Sequence, residues 1–206
     1  MKKILYDYKI YIKRILQSKI YKYIYADFGK NSVIDTPLII RNKKKIFIGD
    51  KVTIRANSRI EVVSEYNNTL YNPQLIIGDG TIIEFNLHIT CAKNINIGKN
   101  VLIAGYVTII DNNHGYYDID IPIYKNDLVG LKETIIGDNS FIGTGSIVLP
   151  GTIIGRNCII AANSVVSGNI PDYTMVAGAP SRIVKRYNFN KKSWERTDTR
   201  GNFIEE

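Results

Sequence analysis

Residues 136–171 read IGDNSFIGTGSIVLPGTIIGRNCIIAANSVVSGNIP, and this stretch repeats itself every six positions. Aliphatic residues recur at Ile136, Ile142, Val148, Ile154, Ile160 and Val166. A small or turn-forming residue follows most of them, at Gly137, Gly143, Gly155, Ala161 and Ser167, and a further small or short branched residue stands four places on, at Ser140, Ser146, Thr152, Cys158 and Ser164. A short fixed period of this kind is the signature of a parallel β-helix. Each unit supplies one short strand and one turn, three units close a coil, and stacked coils bury the aliphatic column.

Working outward, the period extends in both directions. Toward the N-terminus Ile34, Ile40, Ile48, Ile54 and Ile60 are the expected inward positions, with a turn at Gly49-Asp50. Residues 66–74, with two adjacent asparagines and Pro73, read as a loop leaving the coil. The register resumes at Ile77, Ile83 and Ile89, slips by two residues, and continues at Ile97, Ile103 and Ile109. The expected body, residues 31–187, holds about six coils. Between Ile109 and Ile136 the period is lost, and this loop, 110–135, carries Asp111-Asn112-Asn113-His114. A loop of that length inside a strict repeat marks function. After Pro171, Ala177-Gly178-Ala179-Pro180 ends the repeat, the basic segment Ser181–Arg186 caps it, and residues 188–206 read as a charged tail or helix.

Residues 1–30 form a basic segment. Ile4, Leu5, Tyr8, Ile12, Ile15 and Leu16 fall at helical spacing among Lys2, Lys3, Lys9, Lys13 and Arg14. Such a helix over residues 1–25 either packs on the prism or a neighbouring subunit, or lies on an anionic membrane surface.

The chain has 206 residues and a net charge of +8, but residues 1–30 account for +6 and residues 182–206 for +3, leaving −1 for the body. Terminal basicity without aromatic platforms on the repeats argues against nucleic acid. No apolar run is long enough to cross a bilayer, and no apolar segment leads into a small-residue cleavage site, so a cytoplasmic protein is expected. Cys91 and Cys158 fall within the repeats and read as reduced core thiols.

Histidine occurs only twice, at His88 and His114. An imidazole can take and return a proton near neutral pH, which makes His114, on the long loop, the candidate general base. Two histidines cannot assemble a three-histidine zinc site, so no metal is expected.

The repeat and the phrase Asp111–Gly115 resemble the hexapeptide-repeat acyltransferases, closest to the sugar O-acetyltransferases of the galactoside and maltose type, whose prism is a left-handed parallel β-helix. The resemblance implies an all-β fold of that kind with an N-terminal helix and a short C-terminal cap. It also implies a homotrimer with active sites between prisms, and direct acetyl transfer from acetyl-CoA to a sugar or glycan hydroxyl, as in surface-polysaccharide biosynthesis. His114 matches the family's base, and a backbone N–H beside it would stabilise the oxyanion. On the acceptor side Glu84 stands where the galactoside and maltose enzymes have an asparagine. Glu84, Asn86 and His88 alternate as along a strand, so one acceptor-facing wall is expected, with Asp111 either orienting His114 or capping the turn.

For the coenzyme, Ala104 and Thr144 match positions beside the pantetheine arm and Phe141 stands where a tryptophan is frequent. Ala162 lies one coil on, Ser167-Gly168 match a Thr-Lys pair, and Arg182 and Lys185 match the basic residues that meet the nucleotide phosphates. Phosphates want cations beyond the coil end whatever the family. An N-acetyltransferase of a nucleotide-linked amino sugar shares fold and coenzyme, but the residues ahead of the first coil are too few for a separate nucleotide-binding domain. A non-catalytic prism is the third reading.

Overall fold

In the computed structural model, which describes residues 2–204, three parallel sheets wind into a triangular prism. The first face stacks seven strands, from Asp27–Phe28 to Asn169–Ile170, and the third stacks six, from Ile39–Arg41 to Val165–Val166. On the second face seven parallel strands run from Val33–Ile34 to Thr174–Ala177, and two antiparallel strands complete it. Six full coils result, as the period implies.

The six-residue unit folds this way because each position has one job. Ile136, Ile142, Val148, Ile154, Ile160 and Val166 are all fully buried, and each such side chain contributes about 1.5–3 kcal/mol. The small polar position is buried too, since Ser140 and Ser146 donate to the Gly155 and Ala161 carbonyls of the next coil, at 2.9 Å each. Ser140 Oγ also accepts from the Cys158 N–H at 3.0 Å. One hydroxyl thus satisfies two backbone groups that a corner would otherwise bury unpaired. Corners need a left-handed residue, and Asn100, Asn139, Asn157 and Asn163 supply it with φ of 54°, 59°, 53° and 56°.

Both interruptions of the period leave the same edge of the prism, between the third and first faces. The earlier one is a β-hairpin, Glu65–Tyr66 against Thr69–Leu70, turning through Asn67 and Asn68 at φ 48° and 64°. The later one pairs Asn113–His114 with Leu128–Val129. Since the coils are in register, the two arms meet.

The C-terminal segment differs from the tail or helix expected for residues 188–206. Arg182–Asn188 pairs with the last second-face strand, and Ser193–Arg196 pairs with it in turn. Alternating Trp194 and Tyr187 explain it, with their rings in edge contact at 5.7 Å across the two strands.

The N-terminal helix spans Lys2–Tyr21 and rests on the first coils. Its side chains are described from Ile12 onward; the expectations for Ile4, Leu5 and Tyr8 lie outside that range. Tyr21 packs with Tyr25 and Phe28 at ring distances of 5.3 and 5.1 Å, closing the start of the core.

Candidate active site

Third-face strands present their outward residues in two rows. Arg41, Glu61 and Thr90 stand in register, and beside them Arg59, His88 and Thr108. Together with the two arms these rows enclose a groove of about 730 Å³, lined among others by Arg41, Arg59, Glu61, His88, Thr90, Asn112, Tyr66 and His114. The Glu61 carboxylate is shared by both arginines. His88 Nε2 lies 3.2 Å from the Thr90 hydroxyl. Burial, followed by the neighbouring Arg59 guanidinium, pushes the His88 pKa below its ordinary value against a weaker opposing pull from Glu61, which favours the neutral imidazole.

His114 is exposed at the groove, with its Nδ1 3.2 Å from the Tyr66 hydroxyl. That hydroxyl has one proton and donates it to the Tyr124 carbonyl at 2.7 Å. A carbonyl only accepts, so toward His114 the Tyr66 oxygen must be the acceptor. In the neutral ring the proton is therefore on Nδ1 and the lone pair on Nε2. Asn67 holds the arms together by donating to the Tyr124 and Asn126 carbonyls at 3.0 Å each, and the Leu128 N–H donates to the Tyr71 hydroxyl at 3.3 Å.

Asp111 does not line the groove or bond to His114. It is fully buried, and its two oxygens accept the Ala92 and Lys93 N–H groups at 2.8 Å each. Asn112 Nδ2 donates to the same carboxylate at 2.8 Å. Asp111 thus caps the coil beneath the place where the second arm departs.

Nor do Glu84, Asn86 and His88 share a wall. The strand of this unit is only Ile82–Ile83, so alternation stops at the corner. Glu84 turns to Arg55, 2.9 Å away, and Asn86 is the left-handed corner residue at φ 59°. Only His88, past the corner, reaches the groove.

The coenzyme candidates lie along a different edge. Thr144 and Ala162 occupy equivalent corner positions between the second and third faces, with the Asn163 N–H donating to the Thr144 carbonyl at 2.8 Å, and Ala104 lies on the coil before them. At Thr144 and Ala162 this edge is lined by short side chains and suits a narrow arm, whereas Phe85 and Tyr106 stand exposed on it in the coils before, their rings in edge contact at 5.7 Å. Phe141 stands on the second face between Leu102 and Ile159, 37% exposed. Ser167-Gly168 are at the third–first edge instead, Gly168 with φ 78° and nothing within 4 Å of an added Cβ. Arg182 is exposed at the start of the C-terminal strand pair. Lys185 lines a second groove with Lys191, Trp194, Glu195 and Arg196, in which Lys191 Nζ is paired with the Glu195 carboxylate at 2.9 Å. A single chain therefore holds His114 and the short-side-chain edge on opposite sides of its third face.

Sequence reasoning missed Arg41, Arg59, Glu61, Thr90 and Tyr66. The signal was available in part: outward residues of successive third-face strands become neighbours once the coils are aligned.

The prism is that of the hexapeptide transferases. The chain belongs to that family, whose description, bacterial transferase hexapeptide (six repeats), matches residues 133–168, and it is an acyltransferase with a left-handed parallel β-helix. WbbJ of Escherichia coli K12, named as an O-acetyl transferase of lipopolysaccharide biosynthesis, is 33% identical over 170 residues, 80% of this chain and 83% of WbbJ. Galactoside O-acetyltransferase of the same organism is 33% identical over 139 residues, 60% of each chain. Among solved structures, AntD, an N-acyltransferase of Bacillus cereus in complex with dTDP and 3-hydroxybutyryl-CoA, superposes with a TM-score of 0.67 at 20% identity, covering 85% of this chain and 90% of that one, which shows the shared fold.

Proposed function

We propose that this protein transfers an acetyl group from acetyl-CoA to a sugar hydroxyl in the cytoplasmic synthesis of a surface polysaccharide, with His114 as general base. The observation that carries this reading is the Tyr66–Tyr124 hydrogen-bond chain, which selects the tautomer of the neutral His114 ring with its proton on Nδ1 and its lone pair on Nε2, on a residue that lines the groove. The similarity to WbbJ supports the polysaccharide setting.

Acetyl-CoA supplies the thioester acyl carbon. Nε2 takes the hydroxyl proton as that oxygen bonds to the carbonyl carbon; the carbon–sulfur bond breaks, and the proton passes from His114 to the departing thiolate. The imidazolium formed in between keeps its Nδ1–H bonded to the Tyr66 oxygen. His88, half-buried, and the Arg41–Glu61–Arg59 cluster supply donors and acceptors for the sugar's other hydroxyls. A homotrimer completes the site, the short-side-chain edge of one prism facing the His114 groove of the next; the separation of these two features within one chain favours it.

The test is release of coenzyme A thiol across a panel of sugars, amino sugars and their nucleotide-linked forms, for wild type and His114→Ala. Hydroxyl-dependent turnover that collapses in the variant supports the reading. Turnover only with amino sugars overturns it in favour of N-acylation, and turnover unchanged in the variant removes His114 as base.

A further inference from the structure

The N-terminal helix presents its polar side to the prism. Lys13 Nζ donates to Asp35 at 2.9 Å, and Arg14 donates to the Asn31 carbonyl at 2.7 Å and the Thr53 hydroxyl at 2.9 Å. Gln17 exchanges two hydrogen bonds with the Ile34 backbone, both at 2.8 Å, and Ser18 bonds the Gly29 carbonyl at 3.1 Å. The apolar residues at i, i+4 and i+8 are left outside: Ile12, Leu16 and Ile20 are 38%, 52% and 53% exposed, and Tyr23 and Ile24 beyond the helix are 71% and 37% exposed. An amphipathic helix that settles on a protein core does the opposite.

Charge identifies what covers this stripe. Between Asp7 and Asp27 the sequence has five basic residues and no acidic one. Lys19 and Lys22 are exposed along the stripe, with Lys22 Nζ 4.8 Å above the Tyr23 ring. The run Lys43–Lys45 is drawn to the end of the helix by Lys44 Nζ, which donates to the Tyr23 carbonyl at 2.6 Å. Asp27, the acidic group nearest along the chain, accepts from its own neighbour, the Phe28 N–H.

We propose that this face, residues 12–24 together with Lys43–Lys45, is a docking surface for an anionic lipid bilayer. Leu16, Ile20 and Ile24 would enter the boundary between headgroups and acyl chains, Tyr23 would sit at headgroup level, and the lysines would meet lipid phosphates. A second copy docked stripe to stripe is a poorer occupant, because it would set lysines against lysines, and the trimer contact proposed above runs along the third-face edges instead. The lysine run follows directly on Arg41 and Asn42, which line the His114 groove, so docking would favour an acceptor carried on a lipid. That last step rests on the acetyl-transfer reading; the docking itself does not.

The experiment is co-sedimentation of the full chain, without acetyl-CoA or acceptor, with phosphatidylcholine vesicles and with vesicles also containing phosphatidylglycerol. Binding is expected only to the anionic vesicles, weakened by salt, and reduced about tenfold or more in Leu16→Ser/Ile20→Ser and in Lys19→Glu/Lys22→Glu. Thermal unfolding at the wild-type temperature shows that these exposed substitutions leave the fold intact. Failure of the wild type to sediment with anionic vesicles overturns the proposal, as does sedimentation unchanged in both variants. A change of oligomeric state in the Leu16→Ser/Ile20→Ser variant, without a change in vesicle binding, assigns the stripe to a second copy and overturns it equally.

Discussion

The Tyr66 hydroxyl and His114 Nδ1 lie 3.2 Å apart although 48 residues separate them in the chain, and the Tyr66 proton is already committed to the Tyr124 carbonyl. One residue on the first arm thereby selects the tautomer of the base on the second. Replacing Tyr66 by Phe keeps the ring and its edge contact but leaves Nδ1–H without an acceptor. We expect kcat to fall on the order of tenfold to a hundredfold with KM for acetyl-CoA nearly unchanged, and the loss to be shared by Tyr66→Ala. Steady-state kinetics with the best acceptor decide it, and a Tyr66→Phe enzyme with wild-type kcat removes Tyr66 from the site.

His114→Ala deletes the base without touching the prism. Its kcat should drop by about a hundredfold to ten-thousandfold. Calorimetric affinity for coenzyme A should stay within a factor of about two, because the candidate coenzyme contacts, Thr144, Ala162, Arg182 and Lys185, do not include the imidazole.

Asp111→Asn separates the two roles open to that residue. The carboxylate accepts two backbone N–H groups in a buried place, and an amide has only one oxygen to offer. The variant should lose about 1–3 kcal/mol of stability, readable as a lower melting temperature. Unchanged melting with a large loss of turnover would instead return Asp111 to the catalytic machinery.

His88 gives the fold a pH dependence of defined sign. Its pKa is lowered in the folded state by burial and by Arg59, so the unfolded chain binds the proton more readily. The contribution is fully present above the ordinary value of 6.5 and is lost as pH falls from there through the lower folded value. Melting temperature between about pH 7 and pH 5 should therefore fall more steeply in wild type than in His88→Asn. Parallel curves would mean that His88 carries no such linkage.

Cys91 and Cys158 are fully buried, and burial pushes both thiols up. Neither should react with an aromatic disulfide reagent in the native protein, and both should react in denaturant. Stoichiometric labelling of the native protein would show that the core opens far more readily than its packing implies.

The repeat was legible because its information is local. Ile136, Ile142 and Val148 are buried for the same reason that they recur, and the Ser140 and Ser146 hydroxyls bond across the coils because their positions recur as well. The long loop and its histidine stood out as breaks in that period. The asparagine corners were equally periodic, at Asn139, Asn157 and Asn163, and a reading of Asn86 as an acceptor contact overlooked that it belongs to their series.

The sequence by itself thus determined the prism, its six coils, the two interruptions and the histidine on one of them, since a six-residue period imposes the same inward positions on every unit. Which side chains face each other was left to the tertiary structure. Strands of two residues end before an alternation can carry from Glu84 to His88, so the corner between them sent Glu84 to Arg55 and His88 to the groove. Tyr66 meets His114 only because both arms leave the same edge, and the helix turns Leu16 outward only because Arg14, Gln17 and Ser18 find backbone and side-chain partners on the first coils. Those are contacts between segments with no common period, and their free energy exists only once the coils have stacked.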